Sequence, residues 1–128
     1  IKPGGRFATV SVLWDHWRFH GPDPALNDRM HEAFKAHCFH QMLPLEIPEK
    51  LERHGFIGTQ CTPMGFLNNS LHHNSFAYLA STLLTHFAEG QGISKEDTER
   101  WRKELDESER EGRFGFVSVP VLTTAIAK

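Results

Sequence analysis

Residues 7–14, Phe-Ala-Thr-Val-Ser-Val-Leu-Trp, carry no charge and show no clean polar face. A β-branched, apolar run of this kind reads as a strand. A strand without a polar face is normally covered on both sides, as in the sheet of an α/β protein. Ile1-Lys2-Pro3-Gly4-Gly5 precedes it as a turn, because proline presets one φ and glycine accepts positive φ. A domain rarely begins with its turn, so the element before this one is expected in a missing segment or in another chain.

The rest of the chain alternates. Residues 15–22 read as a loop rich in aromatic and His side chains. Asp23-Pro24 is a helix start, with Asp as N-cap and Pro at the first helical position. Leu26, Met30, Ala33, Phe34 and His37 then recur at helical spacing as far as about Cys38. Pro48 opens a short helix through Leu51 that stops at Gly55. Residues 56–67 read as a strand made irregular by Gly58, Pro63 and Gly65, and 68–74 as a polar loop. Phe76, Leu79, Leu83 and Phe87 mark one face of a helix over 75–88, which Gly90-Gln91-Gly92 breaks. Ser94 with Asp97 is a variant capping box. It opens a charged surface helix that is anchored by Trp101 and Leu105 and ends near Gly112. Residues 114–127 read as a third strand, with a bulge expected at Pro120. Strands alternating with helices predict an α/β layer structure with three strands and about four helices.

A chain of 128 residues is one domain's worth. With 39% apolar and 23% charged residues it is ordinary globular material. A net charge of −2 gives no electrostatic footprint for nucleic acid. No apolar run reaches the ~20 residues of a membrane-spanning helix. Cys38 and Cys61 fit neither a disulfide framework nor a zinc pair, and a reducing, cytoplasmic setting is the simplest reading. Cys38 reads as a small buried hydrophobe. His16/His20 and His37/His40 have helical metal-pair spacing, but the first pair falls in a loop, and both read as surface or capping histidines. No metal site is expected.

Several segments together resemble the C-terminal half of a class I, Rossmann-like S-adenosylmethionine-dependent methyltransferase. Lys2-Pro3-Gly4-Gly5-Arg6 before a strand ending in Trp14-Asp15 looks like the turn and fifth strand of that family. Leu51-Glu52-Arg53-His54-Gly55-Phe56 is similar to its helix end before strand six. Ala125-Ile126-Ala127-Lys128 is similar to the close of its last strand. Gly21-Pro22-Asp23-Pro24 resembles a loop before an inserted helix, and the helices of about 75–112 would be an insertion. The resemblance covers almost the whole chain. It implies a partial methyltransferase sheet in which the last strand enters antiparallel between the other two.

The family's Gly-rich turn after its first strand, and the acidic residue ending its second, have no counterpart here. The resemblance therefore implies no cofactor-binding residue in this chain, and S-adenosylmethionine only if an N-terminal half completes it. That half, or a second copy of the chain, is expected to pair on the edge of the first strand. By the same resemblance Asp15 and His16 are the candidate catalytic residues, taking a proton from the methyl acceptor. Trp14, Trp17, His72 and His73 are the candidate wall of a small-molecule substrate pocket. The competing reading is a non-catalytic, homo-oligomeric binding or assembly module derived from that fold. Trp14 and Trp17 serve equally as packing for the strand-to-loop corner, and His72-His73 as a solvated loop.

Overall fold

The computed structural model describes all of residues 1–128. The chain is α/β, with four helices and two three-stranded antiparallel sheets. In order, the elements are β1 (Arg6–Val12), a 3₁₀ turn (Trp14–His16), β2 (Arg18–Phe19), α1 (Pro24–Lys35), α2 (Leu43–Arg53), β3 (Phe56–Pro63), β4 (Phe66–Asn68), α3 (Phe76–Gly90), α4 (Lys95–Arg110), β5 (Phe116–Ser118) and β6 (Pro120–Ala127). No helix is long and apolar enough to cross a membrane. Two compact units form. One comprises Ile1–Trp17, His40–Phe66 and Ser118–Lys128; the other comprises Arg18–Phe39 and Leu67–Val117.

The first unit is built on β6. It lies between β1 and β3 and is antiparallel to both, so β1 and β3 run parallel to each other. Parallel strands need a crossover, and α2, packed against all three strands, supplies it. Along β6, Val121, Thr123, Ala125 and Ala127 are buried while the alternate residues are not. Register puts Ser11, Thr9 and Phe7 level with the first three of these. The opposite face carries Ala8, Val10, Leu122, Thr124, Ile57 and Ile126, and is largely uncovered: Val10 is 57%, Ile57 46% and Ile126 42% exposed.

The two edges of this sheet differ. β3 has a register shift between Ile57 and Gln60, takes φ +62° at Gly58 and ends on Pro63. Bulges and prolines are devices that stop an edge from pairing further. β1 is seven residues long, unbroken and free of proline, with Arg6 as its one charge. Every second residue of an antiparallel strand turns its N–H and C=O away from its partner, so β1 presents a row of pairing groups that nothing blunts.

Three sequence expectations need correction. The strand expected over 56–67 is two strands in different sheets, because Pro63 and Gly65 interrupt the ladder. The strand expected over 114–127 changes sheet at Val119 rather than bulging; Pro120 becomes the first residue of β6, where a missing N–H is tolerated. Helix α2 starts at Leu43, with Pro44 in its first turn and Pro48 inside it. Pro48 removes one helical bond, and burial of Pro44 and Leu51 holds the helix on the sheet. Gly55 stops it as expected, at φ +81°.

The second unit holds α1, α3, α4 and the sheet β2-β5-β4. The expected caps form: Asp23 accepts from the Leu26 N–H, Ser75 from Tyr78 and Ser94 from Asp97. The Asp23 carboxyl is held below the usual carboxylate range, first by the Leu26 N–H and then by Arg100. At the core, Phe19 lies 4.4 Å from Phe116 and edge-on to Trp101 at 5.2 Å. All three rings are fully buried.

Polar groups knit this core together. The Trp101 indole N–H donates to Asn27 Oδ1 (2.9 Å), and Asn27 Nδ2 donates to the Phe19 carbonyl (3.0 Å). The Phe19 N–H donates to His31 Nε2 (3.0 Å), and His31 Nδ1 donates to the Asn27 carbonyl (2.7 Å). These bonds require the neutral ring with its proton on Nδ1. Gly21 completes the arrangement, since a Cβ there would fall 2.6 Å from Asn27 Oδ1.

Helix α3 sets its small residues inward. It buries Ala77, Ala80, Ser81, Leu84 and Ala88, and leaves Phe76, Leu79 and Leu83 at least half exposed. Small residues let α1 and α4 approach closely, which sets that face inward.

Two outcomes follow for stability. Asn27→Ala strands the indole N–H and the Phe19 carbonyl, and is expected to cost on the order of 3 kcal/mol in denaturant unfolding. Burial pushes His31 down from 6.5 to about 4. The unfolded chain protonates this ring below about pH 6.5 and the folded chain only below about pH 4, so the stability it contributes is whole above 6.5. It is expected to fall by roughly 3 kcal/mol in total as pH drops through that window. His31→Gln should lack that part of the slope in urea melts taken across the window.

Candidate functional site

The chain leaves the C-terminal end of β1 through a pinned turn. The Leu13 N–H donates to the Val119 carbonyl (3.1 Å), and the Trp14 N–H to the Gln41 carbonyl (2.8 Å). The His16 N–H then donates to Leu13 (3.0 Å) and the Trp17 N–H to Trp14 (3.1 Å), closing the 3₁₀ turn. The two indoles meet edge to face with centroids 5.7 Å apart.

The four sequence candidates on this turn differ in access. Trp17 is 5% exposed and backs Trp14, which is half-buried. Asp15 and His16 point to solvent. One residue along the chain from Gln41, His40 Nδ1 lies 2.8 Å from the Glu46 carboxylate, which Lys50 also holds at 2.7 Å. The Lys50 hydrogen bond, then His40, keep that carboxyl below its ordinary range. The Glu46–Lys50 pair has readable i,i+4 spacing. His40–Glu46 has no such signal, because it depends on where α2 begins.

His72 and His73 belong to the second unit, in an exposed turn closed by the Ser75 N–H donating to the His72 carbonyl (2.8 Å). They precede Ser75, the N-cap of α3. Across the uncovered face of the first sheet runs a groove of about 390 Å³, lined by Arg6, Ala8, Gly58, Gln60, Thr124 and Ile126 among others. Small residues at 8, 58 and 124 set its depth.

A nucleotide-type cofactor needs a glycine turn between a strand and a helix, open to the ligand. The positive-φ glycines are Gly4, Gly55, Gly58, Gly92 and Gly112. None of them stands between a strand and the helix that follows it. Gly21 does, between β2 and α1, but it abuts the Asn27 amide and leaves no cradle. No glycine turn of that kind, open to a ligand, joins a strand to a helix in this chain. No group of three or more His, Cys, Asp or Glu side chains is placed to hold a metal ion.

Trp17→Ala is expected to cost about 3–5 kcal/mol in chemical denaturation, as for other buried large-to-small changes. His16→Ala should change stability by less than about 0.5 kcal/mol, which makes it a clean probe of function.

No protein-family model matches this chain, and no curated protein matches it in sequence.

Proposed function

We propose that this chain is the substrate-side portion of an S-adenosylmethionine-dependent methyltransferase, and that an N-terminal half carrying the cofactor cradle pairs with β1. The observation that carries this reading is the first sheet. Two parallel strands, joined by a crossover helix, flank a final antiparallel strand. This is the arrangement that the Lys2–Arg6 turn, the Gly55-Phe56 helix end and the closing strand imply by resemblance. The unblunted edge of β1 and the uncovered sheet face supply the surface for the other half.

In this reading the end of β1 forms the acceptor side of the site, since ligands of open α/β sheets sit beyond the carboxyl ends of the parallel strands. Trp14 supplies an apolar wall stiffened by Trp17. Asp15 and His16 stand in solvent on the same turn, where either can accept the proton that a hydroxyl or amine acceptor sheds. His72 and His73 are the substrate-binding candidates of the second unit, on its own exposed turn. The substrate is a small molecule, and the chain's part in the reaction is positioning and proton transfer.

Calorimetric titration tests this with S-adenosylhomocysteine as the probe. The 128-residue chain alone is expected to give no saturable heat. Mixed with the polypeptide encoded immediately upstream of residue 1, it is expected to bind stoichiometrically. Methyl transfer by the pair should then fall at least tenfold in the Asp15→Asn/His16→Gln double variant. Binding by the isolated chain, or full activity of the double variant, would overturn the corresponding part of the proposal.

A further inference from the structure

Helix α3 carries a second, independent surface. Phe76, Leu79 and Leu83 are 50, 54 and 55% exposed on one side of it. Phe76 also keeps ring contact with Phe116 at 5.9 Å, so its position is fixed from behind. The helix holds one formal charge in fifteen residues, Glu89, whereas α4 is charged at twelve of its sixteen positions. The apolar face is thus a local feature of α3.

The spacing points to the occupant. Phe76, Leu79, Leu83 and the exposed His86 follow intervals of three, four and three. That is the a/d seam of helix-on-helix packing, and it reads the same in both directions. An antiparallel copy related by a two-fold axis between residues 79 and 83 sets Leu79 against Leu83 twice and Phe76 against His86 twice. The same register brings Glu89, near the end of one helix, level with His73 and the start of the other. A carboxylate there meets the positive end of a helix dipole and two histidines, and no like charges oppose. We infer that α3 is a homodimer interface, formed by antiparallel packing of two copies through Phe76, Leu79, Leu83 and His86.

Three half-exposed side chains give on the order of 300 Å² of apolar surface, against the roughly 800 Å² per partner of a standard interface. The dimer is therefore a weak, reversible one, smaller than a standard stable interface. The inference rests on α3 alone and does not depend on what pairs with β1.

Sedimentation equilibrium of the 128-residue chain over the micromolar range tests it. The expected result is a concentration-dependent monomer–dimer equilibrium. Leu79→Lys and Leu83→Glu alter exposed positions, so each variant should keep the wild-type circular dichroism spectrum and unfolding midpoint while becoming monomeric. Mixed in equal amounts, the two should dimerise again, because antiparallel packing sets position 79 of one copy against position 83 of the other and so brings the introduced lysine to the introduced glutamate. A monomer at all concentrations would overturn the inference. So would a dimer that survives both substitutions, as it would if β1 edges paired instead. Two monomeric variants that fail to rescue each other would overturn the antiparallel register.

Discussion

Ladder hydrogen bonds from both sides of β6 hold β1 along one edge and β3 along the other. With the last strand in the middle, the first unit needs a crossover over the sheet, and α2 is that crossover. The same placement forces β1 and β3 to the outside. One of them is equipped to stay there, with its Gly58 irregularity and terminal Pro63; the other is not. An unprotected strand edge beside an uncovered apolar face is costly for a chain on its own. It is well suited to a chain that is one part of a larger sheet, and this asymmetry is the physical basis of the proposed partnership.

The second unit is held differently. Its centre is an aromatic cluster whose polar edges are satisfied by two residues one turn apart on α1, Asn27 and His31. They bind the backbone of Phe19 from both sides and the indole of Trp101. Because a buried unpaired polar group costs more than a made hydrogen bond returns, this network sets the position of the two-residue strand β2 more tightly than its short ladder with β5 could. It also links the fold to pH through the neutral state of His31. Outside it, Arg100 joins the α1 cap at Asp23 to Asp97.

The segments legible in the sequence were those with local causes. Caps at Asp23, Ser75 and Ser94, the stop at Gly55, and the buried anchors Trp101 and Leu105 each follow from neighbours a few residues away. The parts that escaped were decided at long range. Nothing local says that Val119 separates two sheets, or that α2 begins before Pro44. Periodicity marks the Phe76, Leu79, Leu83 and Phe87 face of α3 without saying whether it is inward; the small residues Ala77, Ala80, Ser81 and Ala88 decide that, and apolar counting passes over them. Asn27 and His31 were hidden for a related reason. They sit in the buried stripe with Leu26 and Met30, where a polar residue signals a partner that only the fold can name. At the candidate site, the turn carrying Trp14, Asp15, His16 and Trp17 could be placed after the first strand from sequence, but the burial of Trp17 behind Trp14 could not.

In the proposed enzyme β1 is an interior strand of a larger sheet. Residue-resolved amide hydrogen exchange measures this directly. In the 128-residue chain alone, the N–H groups of β1 that face β6 should be protected and the alternate ones should exchange quickly. With the upstream polypeptide added, the alternate amides from Arg6 to Val12 should become protected to the same degree. If those amides exchange equally fast with and without it, β1 is a true edge and the proposed pairing does not occur.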